Sequence, residues 1–324
     1  MTHRRHFCLS ALSLALPPAA TWAQPSSQPS SQPIRILVGF AAGGSVDLTA
    51  RALAEAMRAS LDHTILVENR PGAAGRLAVE TTRQAAPDGQ TLMLVPHGPM
   101  TLFPWIHRQL RYDPVKDFAP VGRVCTLDYA ISTGPATPAK TAAEYVAWAR
   151  NPANKPAFAS PGAGTIPHFL GQGFAQKAGI EITHVPYKGA APSLVDLIGG
   201  NISLAVTPLA DAVEHHRAGK LRILAITSTR RNAALPDVPT LKESGIDLVL
   251  DGWYGVYAPA GTPAAQVERL YQALQGAVKK IEPTLARATM QADPAGPQQL
   301  AKIQAAETAL WGPWVKASGF TPED

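Results

Sequence analysis

Residues 34–45 read Ile34-Arg35-Ile36-Leu37-Val38-Gly39-Phe40-Ala41-Ala42-Gly43-Gly44-Ser45. Four of the first five are aliphatic, which reads as a short buried strand, and a glycine-rich turn follows at once. Val46, Ala50, Leu53, Ala54, Met57 and Leu61 then recur at helical spacing and mark the buried face of a helix. Next come a strand at Thr64–Val67, a Pro71-Gly72 turn, and a helix over Leu77–Ala85 that stops before Pro87-Asp88-Gly89. A third strand is expected at Thr91–Val95. This β-α-β-α-β order predicts a parallel sheet flanked by helices.

The order then repeats. Thr141-x-x-Glu144 is a capping box that opens a helix to Arg150. Strand Pro156–Ala159 runs into Ser160-Pro161-Gly162-Ala163-Gly164-Thr165, and Ile166, Phe169, Leu170 and Phe174 share one side of the helix beyond. Strand Ile182–Pro186, a helix over Ala191–Ile198, and strands Ile202–Val206 and Leu221–Thr227 complete this half. The likeness lies in element order, not residue identity. Further on, Leu248–Tyr257 is strand-like. Thr262-Pro263 opens a long helix with Val267, Leu270, Leu274, Val278 and Ile281 inward, and Leu300, Ile303, Leu310 and Trp314 mark a final amphipathic helix. A first half of three strands is small, and a returning C-terminal part completes it most simply. The expected architecture is α/β with two lobes: residues 34–126 plus 252–324, and residues 127–251. Two crossing strands, near Val121–Ile131 and Leu248–Tyr257, join them.

Composition bounds the function. Only 16% of the 324 residues are charged, below the usual ~25%, while 46% are hydrophobic. Disorder and coiled coil are excluded for most of the chain. Met1–Ala23 reads as a secretory signal: Arg4 and Arg5, an apolar run over Cys8–Ala15, and Thr21-Trp22-Ala23 as cleavage site. No stretch is long enough to span a bilayer. Gln24–Pro33, a Pro/Ser/Gln repeat, reads as a flexible tether. Loss of the signal removes two arginines and no acid, so the formal charge falls from +5 to +3, too small to identify a partner. It leaves Cys125 as the single cysteine, so no internal disulfide forms in the exported protein.

In open parallel sheets, ligands bind beyond the carboxyl ends of the strands where strand order reverses. With order 2-1-3, the bordering loops are Phe40–Ser45 and Pro96–Pro99 in one lobe, Ser160–Thr165 and Thr207–Leu209 in the other. The candidate binding residues are therefore Phe40, Ala41, Ala42, Gly43, Gly44 and Ser45, with Asp47, His97 and Gly98. From the second lobe come Ser160, Gly162, Ala163, Gly164, Thr165 and Thr207. Both glycine loops feed a helix N-terminus, where outward N–H groups and the helix dipole favour an anion. Two facing ends, with charge-assisted hydrogen bonds of about 1.5–3 kcal/mol each, are enough for micromolar affinity, about −8 kcal/mol. The competing reading is that the glycines only make tight turns.

Asp47 has two readings as well. It either bonds loop amides and pairs with Arg51 one turn on, or meets an ammonium group or bridging water. Neither loop has the Gly-x-Gly-x-x-Gly or Gly-Lys-Ser/Thr pattern of nucleotide sites, so a small organic anion is expected. No catalytic motif occurs: Gly-x-Ser-x-Gly, His-Glu-x-x-His and Cys-x-x-Cys are all absent. His215 and His216 are adjacent and point apart on a helix, so they cannot share a metal. His168 is read as fixing its loop, His97 as a cleft-facing donor, and Trp253-Tyr254 as hinge or core aromatics. No cofactor, metal or catalytic residue is expected, and no basic, aromatic-interleaved surface for nucleic acid.

Longer motifs point to one family. Phe40-Ala-Ala-Gly-Gly-x-x-Asp47-x-x-Ala-Arg51, Glu68-Asn-Arg-Pro-Gly-Ala73, Pro87-Asp-Gly-x-Thr-Leu92 and Tyr112-Asp-Pro-Val-Lys-Asp-Phe118 come first. They are followed by Gly162-x-Gly164 with His168, His184-Val-Pro-Tyr-Lys-Gly189, Leu235-Pro-Asp-Val-Pro-Thr240 and Trp253-Tyr-Gly-Val-Tyr-Ala-Pro-Ala-Gly-Thr-Pro263. Together, in this order, they resemble the Bug receptors, periplasmic solute-binding proteins of tripartite tricarboxylate transporters. The resemblance implies a periplasmic-binding-protein fold (type II, Venus flytrap) that closes on a small carboxylate. It also implies a monomer that works with the membrane subunits of such a transporter, anchoring its ligand at Phe40–Ser45 with Asp47 and at Gly162–Thr165. The sequence departs from the family at Gly39 (usually Pro), Arg76 (often Asn), Gln172 (often Glu) and Thr207-Pro208, where an acid is frequent. Lack of that acid points towards an organic or aromatic acid rather than an amino acid. Two alternatives are a ligand-dependent signalling receptor and an exported hydrolase using His97 or His168, the latter lacking a paired nucleophile and base.

Overall fold

Strand β1 (Ile34–Val38) lies between β2 (Ile65–Asn69) and β3 (Thr91–Pro96), parallel to both, with Ile36 opposite Val67 and Leu92. The computed structural model that shows this describes residues 32–317 and residue 320, so the signal segment 1–23 and the tether as far as Ser31 lie outside the described residues. β1 is central because Ile34, Ile36, Leu37 and Val38 are all buried. Helices α1 (Ser45–Leu61) and α2 (Arg76–Arg83) connect the three strands, and every residue assigned to the inner face of α1 is buried.

The second half repeats this order. β5 (Ala157–Ser160) lies between β6 (Thr183–Pro186) and β7 (Leu204–Pro208), parallel to both, with Phe158 opposite His184 and Leu204. Two short helices, α3 (Gly98–Thr101) and α4 (Phe103–Ile106), and then α5 (Ala142–Ala149) precede β5, and helices α6 (Ile166–Ala178) and α7 (Ala190–Ile198) make the crossovers. The 2-1-3 order expected from the sequence thus holds in both halves.

One strand runs through both. β4 (Phe118–Thr133) is antiparallel to β9 (Asp251–Pro259) along its first part, from Phe118 opposite Pro259 to Asp128 opposite Asp251. Its last residues, Tyr129–Thr133, lie between β7 and β8 (Arg222–Ile226). β9 also pairs with β3, placing Met93 opposite Tyr257, so the chain does return to finish the first half-sheet. The second crossing differs from expectation at its start: residues 248–250 precede the strand, and Leu250 N–H bonds the carbonyl of Thr227.

α9 (Ala264–Arg287) packs along α1 and buries Leu270, Leu274, Val278 and Ile281. β10 (Gln291–Ala295), not foreseen from its polar sequence, adds to β4. α10 (Pro297–Ala317) corrects another reading, because Leu310 is 71% exposed. The inward row is instead Leu300, Gln304, Glu307 and Trp311. Its two polar members are satisfied. Gln304 accepts from the Tyr257 hydroxyl at 2.8 Å, and Glu307 accepts from Trp253 Nε1 at 2.5 Å, Trp311 Nε1 at 3.2 Å and Thr101 Oγ1 at 3.2 Å. The Glu307 carboxylate also meets His97 Nδ1. Burial tends to raise the Glu307 pKa, but His97 and the indole donors outweigh it and hold the carboxyl below its usual range. Removing one partner of such a partly buried charged network typically costs about 3–5 kcal/mol.

Gly39 has a steric reason. A Cβ there would lie 2.5 Å from the Gly75 Cα and 2.7 Å from its carbonyl oxygen, so two backbones touch just before the first glycine loop. Gly39→Ala is expected to destabilise the protein by about 1–3 kcal/mol, the usual cost of overpacking, as measured by urea unfolding. An unchanged midpoint would show that the two segments separate freely.

Candidate functional site

Four helices begin at one cavity. Gly44, Ser45 and Val46 at the start of α1 line it, as do Thr165, Ile166 and Pro167 at the start of α6. Ala190 opens α7 and Pro208 precedes α8 (Leu209–Arg217) at the same place. The cause is topological: in each half, every parallel strand delivers its helix from the same sheet edge, and the β4–β9 crossing turns the two edges towards each other. Each end carries roughly half a positive charge on N–H groups that lack intrahelical acceptors. The remaining wall is mostly apolar, with Phe40, Pro96, Pro99, Tyr129 and Pro161. The cavity measures about 50 Å³. One water needs roughly 10–15 Å³, so this is room for a few waters or part of a small molecule.

The first glycine loop is fixed from within. Gly43, at φ +88°, donates its N–H to Asp47 Oδ2 at 3.0 Å. Arg51 Nε bonds the same oxygen at 3.0 Å, and Asn69 Nδ2 bonds Oδ1 at 2.8 Å. Burial tends to raise the Asp47 pKa, but Arg51, the Gly43 amide and Asn69 outweigh it and hold the carboxyl below its ordinary range. The loop-fixing reading of Asp47 therefore accounts for its observed contacts.

The second loop is held similarly. Ser160 Oγ donates to the Gly162 carbonyl at 3.0 Å and lies 2.7 Å from His184 Nε2. Gly164, at φ +74°, gives its N–H to His168 Nδ1 at 3.1 Å, and Thr165 Oγ1 bonds the Gly162 carbonyl at 2.7 Å. His168 thus orders the loop. The first loop also meets the turn between β6 and α7, where Ala41 N–H bonds the carbonyl of Lys188 at 3.1 Å.

A match to the family model for the tripartite tricarboxylate transporter family receptor spans residues 49–320. The chain belongs to that family. This receptor is 37% identical over 314 residues to a UPF0065 protein from the gbd 5' region of Cupriavidus necator, covering 94% of each chain. The solved periplasmic binding protein BugD superposes with a TM-score of 0.87 at 30% identity, covering 90% of this chain and 99% of that one. R. palustris Rpa4515, solved with adipate, gives 0.85 at 27% identity over 91% of this chain and 99% of its own. The receptor is accordingly a periplasmic solute-binding protein with a two-lobe α/β fold, and not an enzyme.

Not every residue singled out from sequence reaches the cavity. Phe40, Ala41, Gly44, Ser45, Asp47, Gly98 and Thr165 line it, whereas Ala42, Gly43, Ser160, Gly162, Ala163 and Gly164 belong to the bordering loops without lining it. His97 does not: it is fully buried, with Nδ1 at Glu307 and Nε2 2.7 Å from the Tyr129 hydroxyl, so both ring nitrogens face the core. Thr207 lies inside β7 rather than in a loop and is likewise fully buried, and Pro208 takes the lining position.

Two contributors were missed. Tyr254, read as a hinge or core aromatic, puts its hydroxyl 2.7 Å from Ser45 Oγ. Asp211, in the first turn of α8, accepts the Ser45 N–H at 2.5 Å on Oδ1 and the Ser45 hydroxyl at 2.9 Å on Oδ2. An acid thus reaches the cavity from this part of the second half, one helical turn beyond Thr207-Pro208. Asp211 keeps some accessible surface, but this faces the cavity, and burial pushes its carboxyl up to about 6 against the two Ser45 bonds.

The imidazoles of His168 and His184 stack 3.8 Å apart at 17°. Burial lowers His168 to about 4. Burial, with His168 alongside, lowers His184 to about 3. An unfolded chain protonates both near 6.5, whereas the folded protein resists until well below that. Proton uptake therefore favours unfolding, and the pair's stabilisation is lost as pH falls from about 6.5 towards 4. Melting temperature should drop across that window, and less steeply in the His168→Gln/His184→Gln variant than in the parent. Equal slopes in the two proteins would contradict this assignment.

Proposed function

We propose that this receptor captures a small carboxylate between its two lobes, residues 34–126 plus 252–324 and residues 127–251, and hands it to the membrane subunits of a tripartite tricarboxylate transporter. The observation that carries the reading is the convergence of four helix N-termini on one largely apolar cavity. Such ends attract an anion, and apolar walls strengthen the attraction by keeping the local dielectric low. The binding elements are the loops Phe40–Ser45 and Ser160–Thr165. The adipate held by R. palustris Rpa4515 supports a carboxylate as the ligand class. Closure follows from population shift: a ligand that touches both loops does so only when they face each other, so it stabilises that state by its differential affinity. The receptor acts as an exported monomer, released from its signal after Ala23.

The test is thermal-shift screening of residues 24–324 against carboxylic acids and their neutral amides. Binding at a hundred times Kd adds about 2.7 kcal/mol of stability, which a melting curve resolves. At least one carboxylate should raise the melting temperature while its amide does not; stabilisation by amides alone would sink the proposal. Gly164→Ala provides a second check. A side chain there is strained by φ +74° and would lie 3.0 Å from Ile106 Cδ1, so the loop or the Ile106 side chain must shift. The variant should bind the same carboxylate at least about tenfold less tightly, a loss of about 1.4 kcal/mol. Unchanged affinity would remove the second loop from the site.

A further inference from the structure

Among the described residues, Asp211 is the one acidic side chain that crosses from the second half of the molecule to the start of α1 at this cavity. Its two oxygens take the Ser45 N–H and the Ser45 hydroxyl, while Tyr254 on β9 meets the same hydroxyl from behind. This is the geometry an anion adopts at a helix N-terminus, with one oxygen on a backbone amide and the other on the hydroxyl of the first residue. The anion seat at α1 is thus already taken by a carboxylate of the chain itself. A ligand carboxylate at that end would lie against a resident negative charge behind apolar walls, where like charges repel strongly. α6 and α7 carry no acid in their first turns, so their positive ends remain uncompensated.

We infer that Asp211 sets the specificity of the cavity, which takes one ligand carboxylate at the α6 and α7 ends and, at the α1 end, a hydrogen-bond donor facing Asp211. This rests on the carboxylate reading above and sharpens it. The preferred ligands are monocarboxylic acids with a hydroxyl or ammonium group at the far end, in contrast to the adipate found in R. palustris Rpa4515. The step is one of selection between charges, because a site that requires a donor penalises a partner that leaves its buried acceptor facing an anion.

The experiment compares acids of matched length in calorimetric titrations at pH 7.5: succinate against 4-hydroxybutanoate and 4-aminobutanoate, and adipate against 6-hydroxyhexanoate and 6-aminohexanoate. The parent protein should bind the tighter donor-bearing acid of each set at least tenfold better than the diacid. Asp211→Asn, which keeps the shape and removes the charge, should narrow that ratio at least tenfold, chiefly by tightening the diacid. Asp211→Ser serves as the second variant if the first melts below the working temperature, with the same expectation. A ratio that stays within twofold in a folded variant, or a parent that prefers the diacids, overturns the role of Asp211 while leaving the carboxylate reading intact. If the parent binds none of these acids, and only neutral amides stabilise it in the screen above, the carboxylate reading itself fails and the inference falls with it.

Discussion

Everything about the cavity depends on the antiparallel ladder between β4 and β9. The two half-sheets are separate parallel units whose helices, taken alone, would begin at two unrelated edges. The ladder from Phe118–Pro259 to Asp128–Asp251, continued by Tyr129–Thr133 into the second half, makes those edges face each other. Tyr254 and Tyr129 show the coupling at the level of side chains. Both stand on the ladder, one bonding Ser45 at the start of α1 and the other bonding His97 at the end of β3. Glu307 of α10 then ties His97 and Trp253 together, so the floor of the cleft is braced by a charged group and three aromatic or imidazole donors.

The electrostatics of the cavity owe little to the count of basic residues. Positive potential comes from backbone amides at helix ends, and the lining side chains are largely apolar. In that setting a single carboxylate matters more than the net charge of the chain. Asp47 and Asp211 illustrate the two outcomes. The first is surrounded by Arg51, Asn69 and the Gly43 amide and is held ionised. The second has only Ser45 to offset its burial, and its pKa rises.

Much of this was legible in the sequence, for identifiable reasons. Ile34–Leu61 carries a strand, a turn and a helix in unbroken apolar periodicity, and the repetition of that order from Ala157 gave the second half. Periodicity fails where polar residues are buried with partners. The inward face of α10 includes Gln304 and Glu307, so the apolar count selected Leu310, which points to solvent. β10 has no apolar alternation, because its pairing with β4 is fixed by the neighbours that bring it there. The direction of His97 depends on Glu307 at the far end of the chain, and the role of Asp211 on Ser45. An acid in a helix's first turn reads as ordinary dipole compensation until the fold shows what lies opposite it.

The pairing of β3 with β9 also bears on how the chain acquires its shape as it emerges from its N-terminus. Thr91–Val95 is fully buried in the finished molecule, yet its partner along one edge, Gly255–Tyr257, appears only after the whole second half. Until then the first three strands present a bare apolar edge with unpaired backbone groups, the kind of surface that joins edge to edge with another copy. The second half has no such delay, since β5, β6 and β7 and their helices are contiguous. A receptor whose first sheet waits for a strand made after its second half is therefore most exposed to misassembly before synthesis is complete, and β9 is the lock that ends that exposure.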